Sequence, residues 1–235
     1  MTLAMLTAGG HHQPQVAIID YGTGNLASAA VACEATGLSP RITRDPGEVL
    51  AADAVLLPGV GAFAEAMESL SAQGLIPALR EAAAEGTPIL GVCLGMQLLF
   101  SEGCEHGRRA GLGLIPGTVE RIPTGGSGAR VKVPHVGWGR LRLRADGDES
   151  PHLRGIEDGT YMYFVHSYVV RPEESACVVA TTDYGGAEFC SAVRQGGMFG
   201  CQFHPERSGP AGLRVYGNLA SLLANTRRTS EAVRC

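Results

Sequence analysis

The stretch Pro88-Ile89-Leu90-Gly91-Val92-Cys93-Leu94-Gly95-Met96-Gln97 decides the fold. Pro88 to Val92 is a short continuous apolar run, the pattern of a strand buried on both faces. It passes without a linker into a helical pattern, expected from about Leu94 to Ser101. Glycines stand two residues to either side of Cys93, where side chains would collide in so sharp a strand-to-helix turn. Such a corner puts Cys93 at the carboxyl end of a parallel strand, where open α/β sheets bind ligands. It also puts Cys93 at a helix N-terminus, whose positive end favours a thiolate and offers a backbone N–H to an oxyanion. A free cysteine is most often a small apolar core residue, and that reading is kept for Cys33, Cys177 and Cys190. The corner and its two glycines set Cys93 apart as a nucleophile.

On the N-terminal side, Val16 to Asp20 reads as a buried strand closed by the turn Tyr21-Gly22-Thr23-Gly24-Asn25. Asn25 suits an N-cap, and the Ala-rich residues 26 to 36 carry a helix to Gly37. Ala54 to Leu57 is another buried strand, stopped by Pro58-Gly59, and helical patterns follow over roughly 62–72 and 76–85. Apolar strands alternating with helices make a parallel sheet covered on both faces. From Thr118 to Gly200 the helical pattern gives way to β-rich runs at Tyr161–Tyr168, Cys177–Thr181 and Glu188–Val193. These are expected as antiparallel strands that extend the sheet or fold over its edge, before a helical pattern returns over 209–224. The expected fold class is therefore α/β, three-layered, with a mostly parallel central sheet and an antiparallel extension. It spans residues 16–224, between a disordered leader (1–15) and a polar tail (225–235).

Composition excludes several classes. The 235 residues are 45% apolar and 18% charged, a globular balance with a net charge of −4. No basic run exceeds two residues, so neither nucleic acid nor an anionic membrane is an expected partner. No apolar run approaches the ~20 residues of a membrane span. Met1 to Gln15 contains no Lys or Arg, unlike a secretory signal. Seven cysteines without a CxxC pair point to reduced thiols in a cytoplasmic protein. His11-His12 reads as part of a solvated Gly-rich leader, and neither a metal nor another cofactor is expected.

A cysteine nucleophile needs a base. His106 and His152 stand in polar stretches, which leaves His135, His166 and His204. His204 lies in Phe199-Gly200-Cys201-Gln202-Phe203-His204-Pro205-Glu206, where an apolar strand delivers it and Pro205 biases it towards extended backbone. In an extended segment residues i and i+2 share a side, so Glu206 is placed to hold one imidazole nitrogen while the other faces the thiol. His166 has no such carboxylate. A competing pattern is Gly22-x-Gly24-x-x-Ala27 after a strand, with Asp45 at dinucleotide-fingerprint distance. Asp45 precedes Pro46 in an expected loop, which argues against a second strand ending there.

Taken together, Pro58-Gly59-Val60-Gly61, Gly91 to Gln97 and Gln202-Phe203-His204-Pro205-Glu206 resemble the class I (triad) glutamine amidotransferases, in that family's order. Within it, the resemblance is to the glutaminase subunits of imidazole glycerol phosphate synthase. It is carried by Ile19 to Leu26, Pro58 to Phe63, Pro134-His135-Val136-Gly137-Trp138, Tyr163 to Tyr168 and His204 to Gly209. The resemblance implies a catalytic triad of Cys93, His204 and Glu206, and an oxyanion hole from Leu94 and the Val60 and Gly61 turn. It implies glutamine contacts from Gly59, Gln97, His166, Ser167 and Tyr168. It further implies, as partner, a (β/α)₈-barrel cyclase that receives the ammonia and is met through Trp138 and Arg207. Gly139 stands where the family usually has Asn, and Arg207 where it usually has Lys.

Overall fold

The structure, a computed structural model, describes residues 13–105, 107–123, 132–144 and 150–233. His11, His12 and His106 lie outside it, as does most of the expected leader, whose last residue Gln15 already belongs to the first strand. The first half alternates as its apolar runs dictate: β1 (Gln15–Ile19), α1 (Leu26–Ala35), β2 (Ser39–Thr43), α2 (Pro46–Ala51), β3 (Ala54–Leu57), α3 (Phe63–Ala72), α4 (Leu75–Ala84), β4 (Ile89–Val92) and α5 (Leu94–Leu98). Strands dominate the second half: β5 (Phe100–Gly103), β6 (Arg109–Ala110), β7 (Ile115–Arg121), β8 (His135–Arg140), β9 (Arg142–Leu143), β10 (Tyr161–His166), β11 (Tyr168–Pro172), β12 (Val178–Tyr184), β13 (Ala187–Gln195) and β14 (Met198–Cys201). The chain closes with α6 (Gly209–Val233), which runs on past the expected end of helix at 224.

The main sheet has the order β2-β1-β3-β4-β14-β13-β12-β9. Its first five strands are mutually parallel and the rest antiparallel. Because side chains alternate across a strand, each central strand feeds both faces. Val16, Ile18 and Leu56 join a core with α1 and α6, through Cys33, Val215, Tyr216 and Leu219. Ala17, Ile19 and Leu57 join the opposite core, with Phe63, Leu70 and Leu79 from α3 and α4. This is the three-layer arrangement expected from sequence. Two smaller sheets, β11-β7-β5-β6 and β10-β8, fold over it. Among the described residues no helix is long and apolar enough to cross a membrane.

Three expectations need correction, the smallest being Asn25, which stands at the N-cap position of α1 without a capping hydrogen bond from its side chain. The helix after Cys93 stops at Leu98, not Ser101, where residues 111–115 come alongside and draw the chain into sheet pairing. Leu112 N–H donates to Leu98 O at 2.8 Å, and Leu114 N–H and Ile115 N–H donate to Leu99 O at 2.9 and 3.0 Å. Phe100 onward instead pairs as β5, with Phe100 opposite Ile115 of β7. The last correction is β2. A strand does end at Thr43, just before Asp45, so a βαβ unit exists there. The Asp45 carboxylate is nevertheless occupied, accepting the Gly47 N–H at 2.7 Å as the N-cap of α2. The case against a dinucleotide site thus rests on capping, not on a missing strand.

Candidate active site

Cys93 has φ 54° and ψ −108°, and is the one non-glycine with positive φ among the described residues. Such backbone persists only where the surroundings impose it. Here Cys93 N–H is fixed to Cys201 O at 2.8 Å, joining the corner to β14. The flanking glycines allow close approach. A Cβ on Gly95 would lie 1.6 Å from Leu57 O, and one on Gly91 would lie 2.9 Å from the backbone of Gly95 and Met96. The segment after β14 brings His204 to the same end of the sheet. His204, at 3% exposure, is as buried as Cys93 at 5%.

Glu206 reaches His204 by a route other than the expected extended i, i+2 spacing. Pro205–Arg207 form a turn of 3₁₀ helix, with Pro205 at its first position. That turn folds the carboxylate back, so Glu206 Oε1 lies 2.8 Å from His204 Nδ1, both side chains 4% exposed. Burial alone pulls the His204 pKa down, but Cys93 and then Glu206 outweigh it and raise it to about 10. An imidazolium here faces Cys93 on one side and the Glu206 carboxylate on the other. The loop is pinned to β10, since His204 N–H donates to Tyr163 O at 2.9 Å. Ser208 Oγ donates to His204 O at 2.7 Å and accepts the Tyr163 N–H at 2.9 Å.

The oxyanion candidates are brought together in a closed form. Leu94 N–H points towards the turn and donates to Gly59 O at 3.4 Å, so one expected donor is occupied by the turn's own carbonyl. Gly59 is wedged against Tyr21, since a Cβ there would lie 1.9 Å from Tyr21 Oη and 2.9 Å from Leu94 Cβ. Tyr21 Oη donates to Pro58 O at 2.5 Å. Val60 is 41% exposed, and Gly61 adopts φ 107°, open only to glycine at low strain.

Of the expected glutamine contacts, His166 and Gln97 have their side chains already engaged. His166 Nδ1 lies 2.9 Å from Tyr168 O, and since a carbonyl only accepts, Nδ1 carries the proton. Its Nε2 then accepts from His135 Nδ1 at 3.1 Å. Both His166 nitrogens are therefore spoken for, so a ligand would meet the backbone of residues 166–168. Gln97 uses its Nε2 twice, towards Tyr168 O at 3.0 Å and Gln202 Oε1 at 2.9 Å. Ser167 O accepts the Ile122 N–H at 2.9 Å between β10 and β11. Sequence reasoning passed over Gln202, which is fully buried and places Nε2 3.5 Å from Cys93 Sγ. Its signal was a polar side chain two residues before His204 in an apolar run.

His152 also departs from its polar-loop expectation. It is 5% exposed and stacks on Phe199, with ring centroids 4.6 Å apart. Burial pulls the pKa of His135 and His152 to about 4 and that of His166 to about 3. These folded values lie below the ordinary one near 6.5, so below that pH the unfolded chain binds more protons. Their stabilisation is complete above pH 6.5 and is lost as pH falls from 6.5 to about 4 for His135 and His152, and to about 3 for His166. Each removes about 1.4 kcal/mol per pH unit in that window. Urea unfolding at pH 7 and pH 5 is expected to show a steep loss, eased in the His152→Phe variant. His204 works oppositely: its contribution is complete below pH 6.5 and is lost as pH rises through about 10.

Trp138 and Arg207 lie on one exposed face. Val136 and Trp138, each 56% exposed, alternate along β8, and Tyr161, 48% exposed, stands opposite on β10. Trp138 meets Tyr163 edge-on at 5.9 Å, and Arg207 lies over the Tyr163 ring at 4.9 Å. Gly139 points to the buried side, where a Cβ would lie 3.0 Å from both Phe164 and Thr182. Its lack of a side chain suits that packing.

The family model described as glutamine amidotransferase class-I matches residues 17–219. A curated relative, the imidazole glycerol phosphate synthase subunit HisH of Moorella thermoacetica, is 50% identical over 208 residues, covering 88% of this chain and 95% of the relative. The protein of the same name from Streptococcus gordonii is 47% identical over 199 residues, covering 84% and 91%. Among solved structures, PurLQS from Thermotoga maritima superposes with a TM-score of 0.66 at 19% identity, covering 90% of this chain and 100% of that one. A glutamine amidotransferase, also from Thermotoga maritima, gives 0.57 at 18% identity, covering 95% and 94%. At those identities the structural likeness speaks for the fold alone.

Proposed function

The chain belongs to the class-I glutamine amidotransferases, and from that premise we propose that it is the glutaminase subunit of an imidazole glycerol phosphate synthase, acting in histidine biosynthesis in the cytoplasm. The observation that carries the chemistry is the strained Cys93 corner facing a buried His204 that Glu206 holds at 2.8 Å. In this reading the Cys93 thiolate attacks the side-chain carbonyl carbon of glutamine and a tetrahedral oxyanion forms. His204, charged at neutral pH, gives its proton to the departing nitrogen, and ammonia leaves. The resulting thioester is opened by water, whose proton His204 accepts, and glutamate is released. Glu206 fixes the ring and balances its charge throughout. Gly59, the Gln97 Oε1 atom and the backbone of His166, Ser167 and Tyr168 line the glutamine pocket.

The oxyanion needs Leu94 N–H together with an N–H from the Val60 and Gly61 turn. Because Gly59 O holds Leu94 N–H at 3.4 Å, the turn must rotate before both donors point inward. Losing one such donor typically lowers the rate ~10²–10³-fold, so the closed form holds glutaminase activity low. The partner in this reading is a (β/α)₈-barrel cyclase subunit, seated on the Trp138, Tyr161 and Arg207 face. The barrel uses the ammonia to make imidazole glycerol phosphate and aminoimidazole carboxamide ribonucleotide. β10 joins that face to the site, since Tyr163 carries Arg207 outside and holds His204 through its backbone.

The test is co-purification with the barrel, followed by assay of glutamine hydrolysis with and without its ribonucleotide ligand. A rise of ten-fold or more on adding both is expected, while an unchanged rate would sink the assignment to this synthase. Trp138→Ala is expected to weaken the complex by about 2 kcal/mol, as for an aromatic anchor, in a titration calorimeter.

A further inference from the structure

Tyr168 O accepts two hydrogen bonds, from His166 Nδ1 at 2.9 Å and Gln97 Nε2 at 3.0 Å. A peptide carbonyl has no proton to give, so the Gln97 atom facing it is the amide nitrogen. The same nitrogen donates to Gln202 at 2.9 Å, which must therefore present its oxygen. This leaves Gln202 Nε2–H directed at Cys93 Sγ, 3.5 Å away. Turning the Gln202 amide over would set NH₂ against NH₂, and with the side chain fully buried no water relieves the conflict. Besides His204, which hydrogen-bonds the same sulfur, Val165 O faces it as an acceptor at 3.7 Å. A neutral thiol can donate to Val165; a thiolate can only accept, from His204 and Gln202.

We propose that Gln202 holds the Cys93 sulfur as a thiolate oriented for attack, and that Tyr168 O, acting through Gln97, fixes the direction of that hydrogen bond. The proposal rests on Cys93 being the nucleophile. A hydrogen bond to an ionised acceptor is roughly twice as strong as a neutral one, so the contact favours the anion over the thiol. The other ionisable groups acting on the sulfur are His204, Tyr21 and Cys201. Burial holds the Tyr21 hydroxyl and the Cys201 thiol neutral, which leaves His204 and Gln202 as the groups that favour charge on Cys93.

The test follows iodoacetamide alkylation of the Cys93 peptide against pH by mass spectrometry, in the full chain. Gln202→Met keeps the length and removes the donor; the midpoint of its profile is expected about one pH unit higher, a roughly tenfold change. The kcat for glutamine is expected to fall about as much, with KM within twofold. Gln97→Met, which does not touch the sulfur, is expected to move the midpoint the same way. Should Gln202→Met fail to fold, Gln202→Glu supplies the reading, since a carboxylate facing the sulfur moves the midpoint further up. A profile that superposes on the parent in the folded Gln202 variant overturns the proposal. Failure of glutamine to protect Cys93 from alkylation in the parent chain overturns the nucleophile assignment instead.

Discussion

Cys93→Ala is expected to abolish glutamine-dependent synthesis by the complex proposed above, by about 10⁶-fold in kcat, while ammonia-dependent synthesis continues at the parent rate. The size follows from the chemistry: without the sulfur there is no acyl acceptor, and His204 and Glu206 have nothing to activate. The selectivity follows from the division of labour, because ammonia supplied in solution bypasses the glutaminase. Measuring both rates on the same preparation provides the internal control. Loss of both activities would mean that Cys93 supports the fold or the interface, and survival of both would remove it from the chemistry. Cys93 is buried, but the change removes a single sulfur atom and leaves only a small cavity, so folding is expected to hold.

Gly95→Ala is expected to destabilise the fold by about 3 kcal/mol or more in urea unfolding, a large share of the ~5–15 kcal/mol typical of a domain. Two effects oppose one another. Alanine in a helix gains up to ~1 kcal/mol over glycine. Against this, the new Cβ would lie 1.6 Å from Leu57 O and 2.6 Å from the Leu57 carbonyl carbon. Both obstacles are backbone atoms of β3, which cannot move aside without parting α5 from the sheet. Gly217→Ala isolates the first effect. That glycine lies within α6, and its Cβ would meet only Thr36 Cγ2 at 4.0 Å. It is expected to raise stability by about 0.5–1 kcal/mol. A Gly95→Ala protein as stable as its parent would mean that the close approach of corner to sheet is not required.

The central strands and the Cys93 corner were legible because a strand buried on both faces must be apolar throughout, as Ala54–Leu57 and Ile89–Val92 are. The edge strand β2 was not. Its residues Ser39-Pro40-Arg41-Ile42-Thr43 carry no apolar run, because one side of an edge strand meets solvent and tolerates proline. The end of α5 was equally hidden, since residues 112 to 115 terminate it from a distance in sequence. In the site, sequence spacing paired His204 with Glu206 correctly, though through a turn it did not foresee. Gln202 escaped notice because its meaning lies in contacts with Gln97 and Cys93, 105 and 109 positions distant in the chain. The His135 and His166 pair escaped for the same reason.

The position of β14 also bears on how the protein is made. β4, which ends at Cys93, pairs with residues 198–201, more than a hundred positions later. Contacts of such separation are slow to form, since a long loop must close before they repay its entropy. On the ribosome, synthesis runs from the N-terminus, so β1, β3 and β4 emerge and begin to associate well before β14 exists. The nascent chain therefore carries its cysteine with no imidazole beside it. The thiol meets its imidazole only with the last strand of the central sheet and the residues that follow it.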